Sequence, residues 1–196
     1  LTDWQGLHAI DELIALHNPA SGWLLNTNNW PFSSAGQSSP RREDYPTYMW
    51  QTPSPGYAAE NPRGVNAVRL LQDAKGVTMD SLIAIAYDPT LSAFEYLLPP
   101  LVIAYDSLPA RDPRKVRFAG PIAALRSWDH RTGAASIPTA LAVLWGQDLA
   151  DTFGAAIRTR GAVLHEFLHT EITAEDRLAA FGRTLDRLER DFGSWQ

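Results

Sequence analysis

Three asparagines that follow a short apolar run are the first residues here that could do chemistry. Asn26, Asn28 and Asn29 come directly after residues 23–25, which read Trp-Leu-Leu. Each amide side chain can donate and accept hydrogen bonds, and asparagine is a poor strand former. The apolar run predicts a buried strand whose polar end offers its amides to a bound group. A turn is the competing interpretation, because asparagine tolerates the left-handed backbone conformation.

A second candidate is the stretch His-Glu-Phe-Leu-His at residues 165–169, which matches the pattern H-E-x-x-H. On a helix, His165 and His169 would share one face and could bind zinc, with Glu166 as the general base. Glu189 lies at a suitable distance downstream to be a third ligand. A match of five residues arises easily by accident, so two histidines at a helix end are the competing interpretation.

Adjacent carboxylates form a third group. The pairs Asp11-Glu12 and Glu43-Asp44 could act as acid and base, but neighbouring acidic residues are more often a solvated face. Glu43 and Asp44 could also offer oxygen ligands to calcium. No G-x-S-x-G motif is present. The sequence therefore predicts no required cofactor, with one candidate position for a structural calcium ion.

Composition narrows the class of protein. A chain of 196 residues with 45% hydrophobic and 20% charged residues can form one globular domain or a large piece of one. The net charge of −5 and the lack of a long basic run argue against nucleic acid as a partner. The absence of cysteine excludes disulfide and thiolate chemistry. No apolar run is long enough to span a membrane, and the first residues do not read as a signal peptide.

The hydrophobic pattern of the chain predicts the elements that would position these residues. It indicates an α+β fold, in which a short N-terminal β segment precedes a mostly helical body. We expect one segment over residues 1–196, with a strand and a long functional loop over 1–57 and a helical part over 58–196. Helices are predicted to begin near residues 61, 78, 91, 101, 119, 136 and 173. Pro99 and Pro100 predict a break between residues 91–98 and 101–108. Gly76 and Gly193 are predicted helix ends.

Several separated motifs stand in a definite order along the chain. They are W-x-G-L-H-x-x-D-E-L at residues 4–13, N-P-x-S-G-W-x-x-N-x-N-N-x-P at 18–31, R-R-E-D-Y-P at 41–46, Arg63 with R-L-L at 69–71, and R-L-A-A-F-G to F-G-S-W over 177–195. In this order they resemble the penicillin-acylase type of N-terminal nucleophile (Ntn) hydrolase, in the middle of its β-chain. The branch that they resemble most holds the acyl-homoserine-lactone acylases and the aculeacin-type lipopeptide acylases.

This resemblance implies a portion of the Ntn-hydrolase αββα fold and an amidohydrolase activity. An N-terminal serine would attack an acyl amide, with its own α-amino group as base. Asn28 would belong to the oxyanion hole, and Arg63 would support the site. The resemblance favours an N-acyl-homoserine lactone or a lipopeptide over a β-lactam as substrate, in the periplasm or outside the cell. The residues expected to line an apolar acyl pocket are Trp23, Trp30, Phe32, Tyr48 and Trp50.

The chain also departs from the family pattern. It begins with Leu1 instead of serine, and it ends at Gln196, where the family continues into further strands. We therefore expect an internal portion of an acylase whose partners are the α-chain and the remainder of the β-chain. Such a segment is expected to be inactive by itself. A zinc hydrolase and a non-catalytic helical binding module are the alternatives.

Overall fold

The computed structural model describes residues 6–47 and 60–196. The chain divides into two compact units, Leu1–Tyr87 and Asp88–Gln196. Asn28 and Arg63 belong to the first unit, and the H-E-x-x-H sequence belongs to the second.

Among its described residues, the first unit consists of an irregular segment, residues 6–47, and two helices. Helix α1 runs over Pro62–Leu71 and helix α2 over Met79–Ala86. Asn61 caps α1, and Thr78 caps α2 through a reciprocal pair of hydrogen bonds with Ser81. Both predicted helix starts are confirmed, but α1 ends before the predicted Gly76. The irregular segment contains four short 3-10 turns, at Ile10–Glu12, Pro31–Ser33, Gly36–Ser38 and Arg42–Asp44.

The predicted N-terminal strand is wrong. Residues 6–47 and 60–196 contain no strand or sheet, so the α+β class is replaced by a mostly helical architecture. Residues 23–25 have no ladder partner: the Leu25 N–H donates to Ser34 O at 2.8 Å, across a 3-10 turn that begins at Pro31. A lone extended segment is not stable as a strand without pairing. The left-handed backbone at Asn28, with a φ of 58°, bends the chain further.

The second unit holds six helices in its described residues. Helix α6 is the longest of them and ends at Arg160, where the left-handed Gly161, with a φ of 60°, forms its C-cap. The predicted start of the last helix near residue 173 and its predicted end at Gly193 are confirmed, and Thr173 forms a capping box with Asp176. The helices are α3 (Phe94–Asp106), α4 (Pro113–Arg117), α5 (Ala119–Arg126), α6 (Ile137–Arg160), α7 (Leu164–Thr170) and α8 (Ala174–Phe192).

Trp145 occupies the centre of the core of this unit. Its side chain is fully buried on α6, and its Nε1–H donates to the Arg177 carbonyl of α8 at 3.2 Å. Helix α8 packs against α6 and α3, and Phe181 of α8 meets Phe118 edge-on with ring centroids 5.2 Å apart. The apolar positions recur at helical spacing along α8, which explains why this helix could be predicted from its sequence.

The predicted helix break at Pro99 and Pro100 is also wrong, because α3 is continuous through both residues. Pro100 has no N–H to donate to the Tyr96 carbonyl one turn earlier. His169 Nδ1 lies 3.0 Å from that carbonyl oxygen and donates to it instead. A neighbouring helix therefore supplies the hydrogen bond that the proline removes.

Arg177 joins α8 to the end of α7. Its guanidinium is buried and donates to three main-chain carbonyls, those of Leu168 (3.1 Å), His169 (2.7 Å) and Ile172. Burial lowers the pKa of this guanidinium, but an arginine stays charged. The carbonyls at a helix C-terminus carry partial negative charge, so one cation satisfies several acceptors that the helix leaves open.

We expect Arg177→Met to lower the free energy of unfolding by about 3 kcal/mol, because buried carbonyls would lose their donors. Urea unfolding of the purified chain measures this loss. Arg187→Met on the same helix is the control, since Arg187 is exposed and pairs with Asp191 at 3.7 Å. The control should cost no more than about 0.5 kcal/mol, and equal losses for the two variants would contradict this account of Arg177.

Candidate functional site

Arg63 connects the first turn of α1 to the asparagine-rich segment. Its Nη1 donates to Asn28 Oδ1 at 3.3 Å, and its Nη2 donates to Thr27 O at 2.7 Å. The two candidate residues, 35 positions apart in the chain, are therefore in direct contact. The planar guanidinium presents its donors in a fixed geometry, so it holds both acceptors in one arrangement.

Asn28 is an exposed residue with an unusual backbone conformation. Its φ of 58° is left-handed, and its N–H donates to Asn26 Oδ1 at 2.8 Å, as in an Asx turn. Because Arg63 can only donate, the atom that faces it is the amide oxygen of Asn28. The Nδ2 group of Asn28 is therefore the part of the amide that can donate to another acceptor. The side chain that carries it is exposed.

Asn61 adds a second link between the same two parts. Its Oδ1 accepts from the Gly64 N–H at 3.1 Å and caps α1, while its Nδ2 donates to Thr27 O at 2.8 Å. The Thr27 carbonyl therefore receives one hydrogen bond from Asn61 and one from Arg63. The N-terminus of α1 and residue 27 form one hydrogen-bonded unit.

Glu60 was missed by the sequence reasoning. Its carboxylate accepts from the Asn61 N–H (2.9 Å), from Asn29 Nδ2 (3.4 Å) and from the Ser33 hydroxyl. The signal that could have revealed it is the order Glu-Asn-Pro at residues 60–62, an acidic residue just before a capped helix start.

The aromatic residues expected in an acyl pocket are only partly brought together. Trp23 packs against Gly36 and lines a pocket of about 670 Å³, whereas Trp30 lines a separate one of about 280 Å³. Trp30 and Phe32 stack with centroids 6.3 Å apart, and Arg42 lies over the Phe32 ring. The other two expected residues, Tyr48 and Trp50, lie outside the described residues.

The H-E-x-x-H sequence lies on α7, but its side chains serve packing. The rings of His165 and His169 pack against Tyr96 with centroids 6.0 and 5.8 Å away, and His169 also bonds the Tyr96 carbonyl. The third candidate ligand, Glu189, pairs with Arg117 at 3.5 Å. Within residues 6–47 and 60–196, no three histidine, cysteine or acidic side chains are grouped to hold a metal ion. The zinc alternative therefore has no ligand set in this part of the chain.

The pair Glu43-Asp44 is the other candidate for metal binding, and its Asp44 carboxylate is already hydrogen-bonded. Both Asp44 oxygens accept from Arg41, at 2.7 and 3.0 Å. The hydrogen bond that Arg41 donates to Asp44 raises the pKa of the exposed Arg41 guanidinium. A calcium ion would have to displace this pair, and its binding here stays a prediction.

A comparison with known families defines the class of protein. The sequence model of the penicillin amidase family matches residues 1–196. The chain therefore belongs to the penicillin amidase family, as its motifs predicted, and this family indicates an amidohydrolase acting on a small-molecule amide. The acyl-homoserine-lactone and aculeacin-type branch stays a prediction. Among the helices of the described residues, none has the length and apolar character needed to cross a membrane.

Tyr96 supplies a test of the packing around α7. Its hydroxyl is buried with no hydrogen-bond partner in the described part of the chain, and burial, with a contribution from Glu166, raises its pKa to about 12. We expect Tyr96→Phe to leave the free energy of unfolding unchanged or to raise it by up to about 1 kcal/mol. Tyr105→Phe on the same helix should lower it by about 1 kcal/mol, because the Tyr105 hydroxyl donates to Lys115 O at 2.9 Å.

The raised pKa of Tyr96 also predicts a pH dependence. An unfolded tyrosine ionises near pH 10, whereas folded Tyr96 holds its proton to about pH 12. Its contribution to stability is full below pH 10 and is lost as the pH rises toward 12. The urea concentration at the unfolding midpoint should therefore decrease more between about pH 8 and about pH 11 in the wild type than in Tyr96→Phe. Equal falls would contradict the assignment.

A double-mutant cycle tests the role of His169. We expect His169→Ala to cost about 1 kcal/mol of unfolding free energy in the wild type and clearly less in Pro100→Ala, whose restored N–H can reach the Tyr96 carbonyl. His165→Ala is the control and should cost the same in both backgrounds, because the contact of its ring is with the Tyr96 ring. The account is wrong if the loss from His169→Ala does not depend on residue 100.

Proposed function

We propose that this chain is the oxyanion-hole segment of an amidohydrolase that cleaves a linear acyl amide through an N-terminal serine lying outside these residues. Membership of the penicillin amidase family supports the reaction class. The observation that carries the assignment of the site is the hydrogen bond from Arg63 to Asn28 Oδ1. It engages the amide oxygen of Asn28, so Nδ2 is the group of this amide that can donate to a substrate.

In the proposed reaction, the serine oxygen adds to the amide carbonyl while the serine α-amino group takes its proton. The carbonyl oxygen becomes an oxyanion, and Asn28 Nδ2 donates a hydrogen bond to it. The C–N bond then breaks, the α-ammonium group returns the proton to the leaving amine, and water hydrolyses the acyl ester. A donor aimed in advance at the developing charge typically lowers the barrier by about 3 to 4 kcal/mol.

Arg63 has two effects in this proposal. It holds the Asn28 amide through Oδ1 and the preceding turn through Thr27 O, so the donor is fixed before the substrate arrives. Its positive charge also polarises the amide and favours a nearby oxyanion. We therefore regard Arg63 as a positioning residue that acts through Asn28.

The substrate that we propose is an N-acyl-homoserine lactone or a lipopeptide, in preference to a β-lactam. The pockets beside Trp23 and Trp30 have volumes of about 670 and 280 Å³, and their linings mix polar and apolar side chains. We propose that the two indole rings supply the apolar surface for an acyl group and that the polar side chains face the amide. The buried Trp30 Nε1 has no hydrogen-bond partner among the described residues and could donate to a substrate oxygen. Phe32, Tyr48 and Trp50 remain proposed contributors to acyl binding.

The remaining proposals concern the setting of the reaction. Its partners would be the α-chain and the rest of the β-chain of the acylase, which would supply the nucleophile. We propose that the protein acts in the periplasm or outside the cell, in keeping with the resemblance of its motifs to exported acylases. The reaction as written needs no cofactor, and a calcium ion would serve structure alone.

The test uses the full-length protein that contains this segment, assayed on N-acyl-homoserine lactones of several chain lengths, a lipopeptide and a penicillin. We expect Asn28→Ala to lower kcat by about 10²- to 10³-fold, with KM little changed. Arg63→Met should lower kcat in the same direction. Arg69→Met is the matched control on α1, because Arg69 donates to Asn66 within its own helix.

Two results would contradict the proposal in different ways. Full kcat in Asn28→Ala would show that this amide does not bind the oxyanion, although the protein is an amidohydrolase. A full-length wild type that hydrolyses none of these amides would contradict the proposed reaction itself.

A further inference from the structure

Glu60 directly precedes the cap of α1 and contacts residues that follow Asn28 in the chain, whereas Arg63 contacts Asn28 itself and the preceding Thr27. We propose that Glu60 is a positioning residue for the oxyanion donor, and that Gly64 is a glycine because the Glu60 carboxylate occupies the space beside it. This inference rests on the proposed function, since the group that Glu60 positions is the amide of Asn28.

The hydrogen bonds of Glu60 fix the chain downstream of Asn28. One oxygen accepts from Asn29 Nδ2 at 3.4 Å and from the Asn61 N–H at 2.9 Å, and the other accepts from the Ser33 hydroxyl. Asn29 directly follows Asn28, and Ser33 ends the next 3-10 turn. The carboxylate therefore ties residues 29–33 to the start of α1.

The upstream side of Asn28 is fixed independently. Thr27 O accepts from Arg63 Nη2 and from Asn61 Nδ2. Asn28 thus lies between two attachments to the same helix N-terminus, one through Thr27 and one through Glu60. A left-handed residue such as Asn28 keeps its conformation when its surroundings over-determine it, and these two attachments meet that requirement.

The space beside Gly64 is filled by the carboxylate of Glu60. The residue is buried in the first turn of α1, and a Cβ built there would overlap the carboxyl group of Glu60. A glycine inside a helix is less favourable than alanine, so alanine would be preferred here if the space were free. The Gly64 N–H still donates to the Asn61 cap, and alanine would keep that hydrogen bond.

Because of this geometry, a variant at Gly64 can distinguish a role in positioning the oxyanion donor from a role in folding. In Gly64→Ala the new methyl group displaces the end of a flexible side chain, while the helix gains a better helix former. A purely structural role for Gly64 predicts that stability and activity change together. The proposed role predicts that activity falls while stability holds or rises.

The experiment measures kcat, KM and Tm in the full-length protein for Gly64→Ala, Glu60→Ala and the double variant. We expect Gly64→Ala to lower kcat by about 10-fold or more, with KM changed little and Tm unchanged or raised. Glu60→Ala should lower kcat as well. The double variant should match Glu60→Ala, because no carboxylate remains to be displaced. Gly154→Ala, at a helical glycine in α6, is the control and should keep its kcat.

The outcomes distinguish this inference from the function on which it rests. If Asn28→Ala is impaired but Gly64→Ala and Glu60→Ala keep wild-type kcat, Glu60 does not position the donor and the proposed function stands. If Gly64→Ala lowers kcat equally with and without Glu60, the glycine acts by another route and the inference fails. A wild type without amide hydrolysis overturns the proposed function, and this inference with it.

Discussion

Two hydrogen bonds from one guanidinium hold the candidate site together. Arg63 binds the Asn28 side chain and the Thr27 carbonyl, and further hydrogen bonds join the same segment to the start of α1. Asn61 bonds the same carbonyl, and Glu60 attaches the residues that follow. Because an irregular segment has no ladder of its own, its geometry depends on such bonds to a helix end. The helix N-terminus is the rigid element that orients the donor.

The sequence predicted the starts of several helices well because their signals are local. The helix starts predicted near residues 61, 78 and 173 are confirmed. At each start a cap needs only a polar side chain three residues before an N–H. The strand over residues 23–25 could not be judged in this way, because an apolar run is a strand only if a partner pairs with it. Its interpretation as a turn, with Asn28 left-handed, was the better one.

The elements that sequence reasoning misjudged are those decided by distant residues. The Pro99-Pro100 pair leaves α3 intact because His169, more than sixty positions away, bonds the carbonyl that the proline leaves open. The same contact explains why the H-E-x-x-H match fits packing better than a zinc site. For the candidate site, family motifs indicated Asn28 and Arg63, but their contact and the role of Glu60 required the fold.

The central claim is that Asn28 Nδ2 donates to the oxyanion while Arg63 holds Oδ1. The most direct measurement is a crystal structure of the full-length protein with an alkyl boronic acid, which adds to a serine hydroxyl and gives a tetrahedral adduct. We predict that an adduct oxygen lies about 2.7 to 3.1 Å from Asn28 Nδ2 while Arg63 still contacts Oδ1. An adduct oxygen beyond hydrogen-bonding distance of Asn28, or held by other donors alone, would contradict the account.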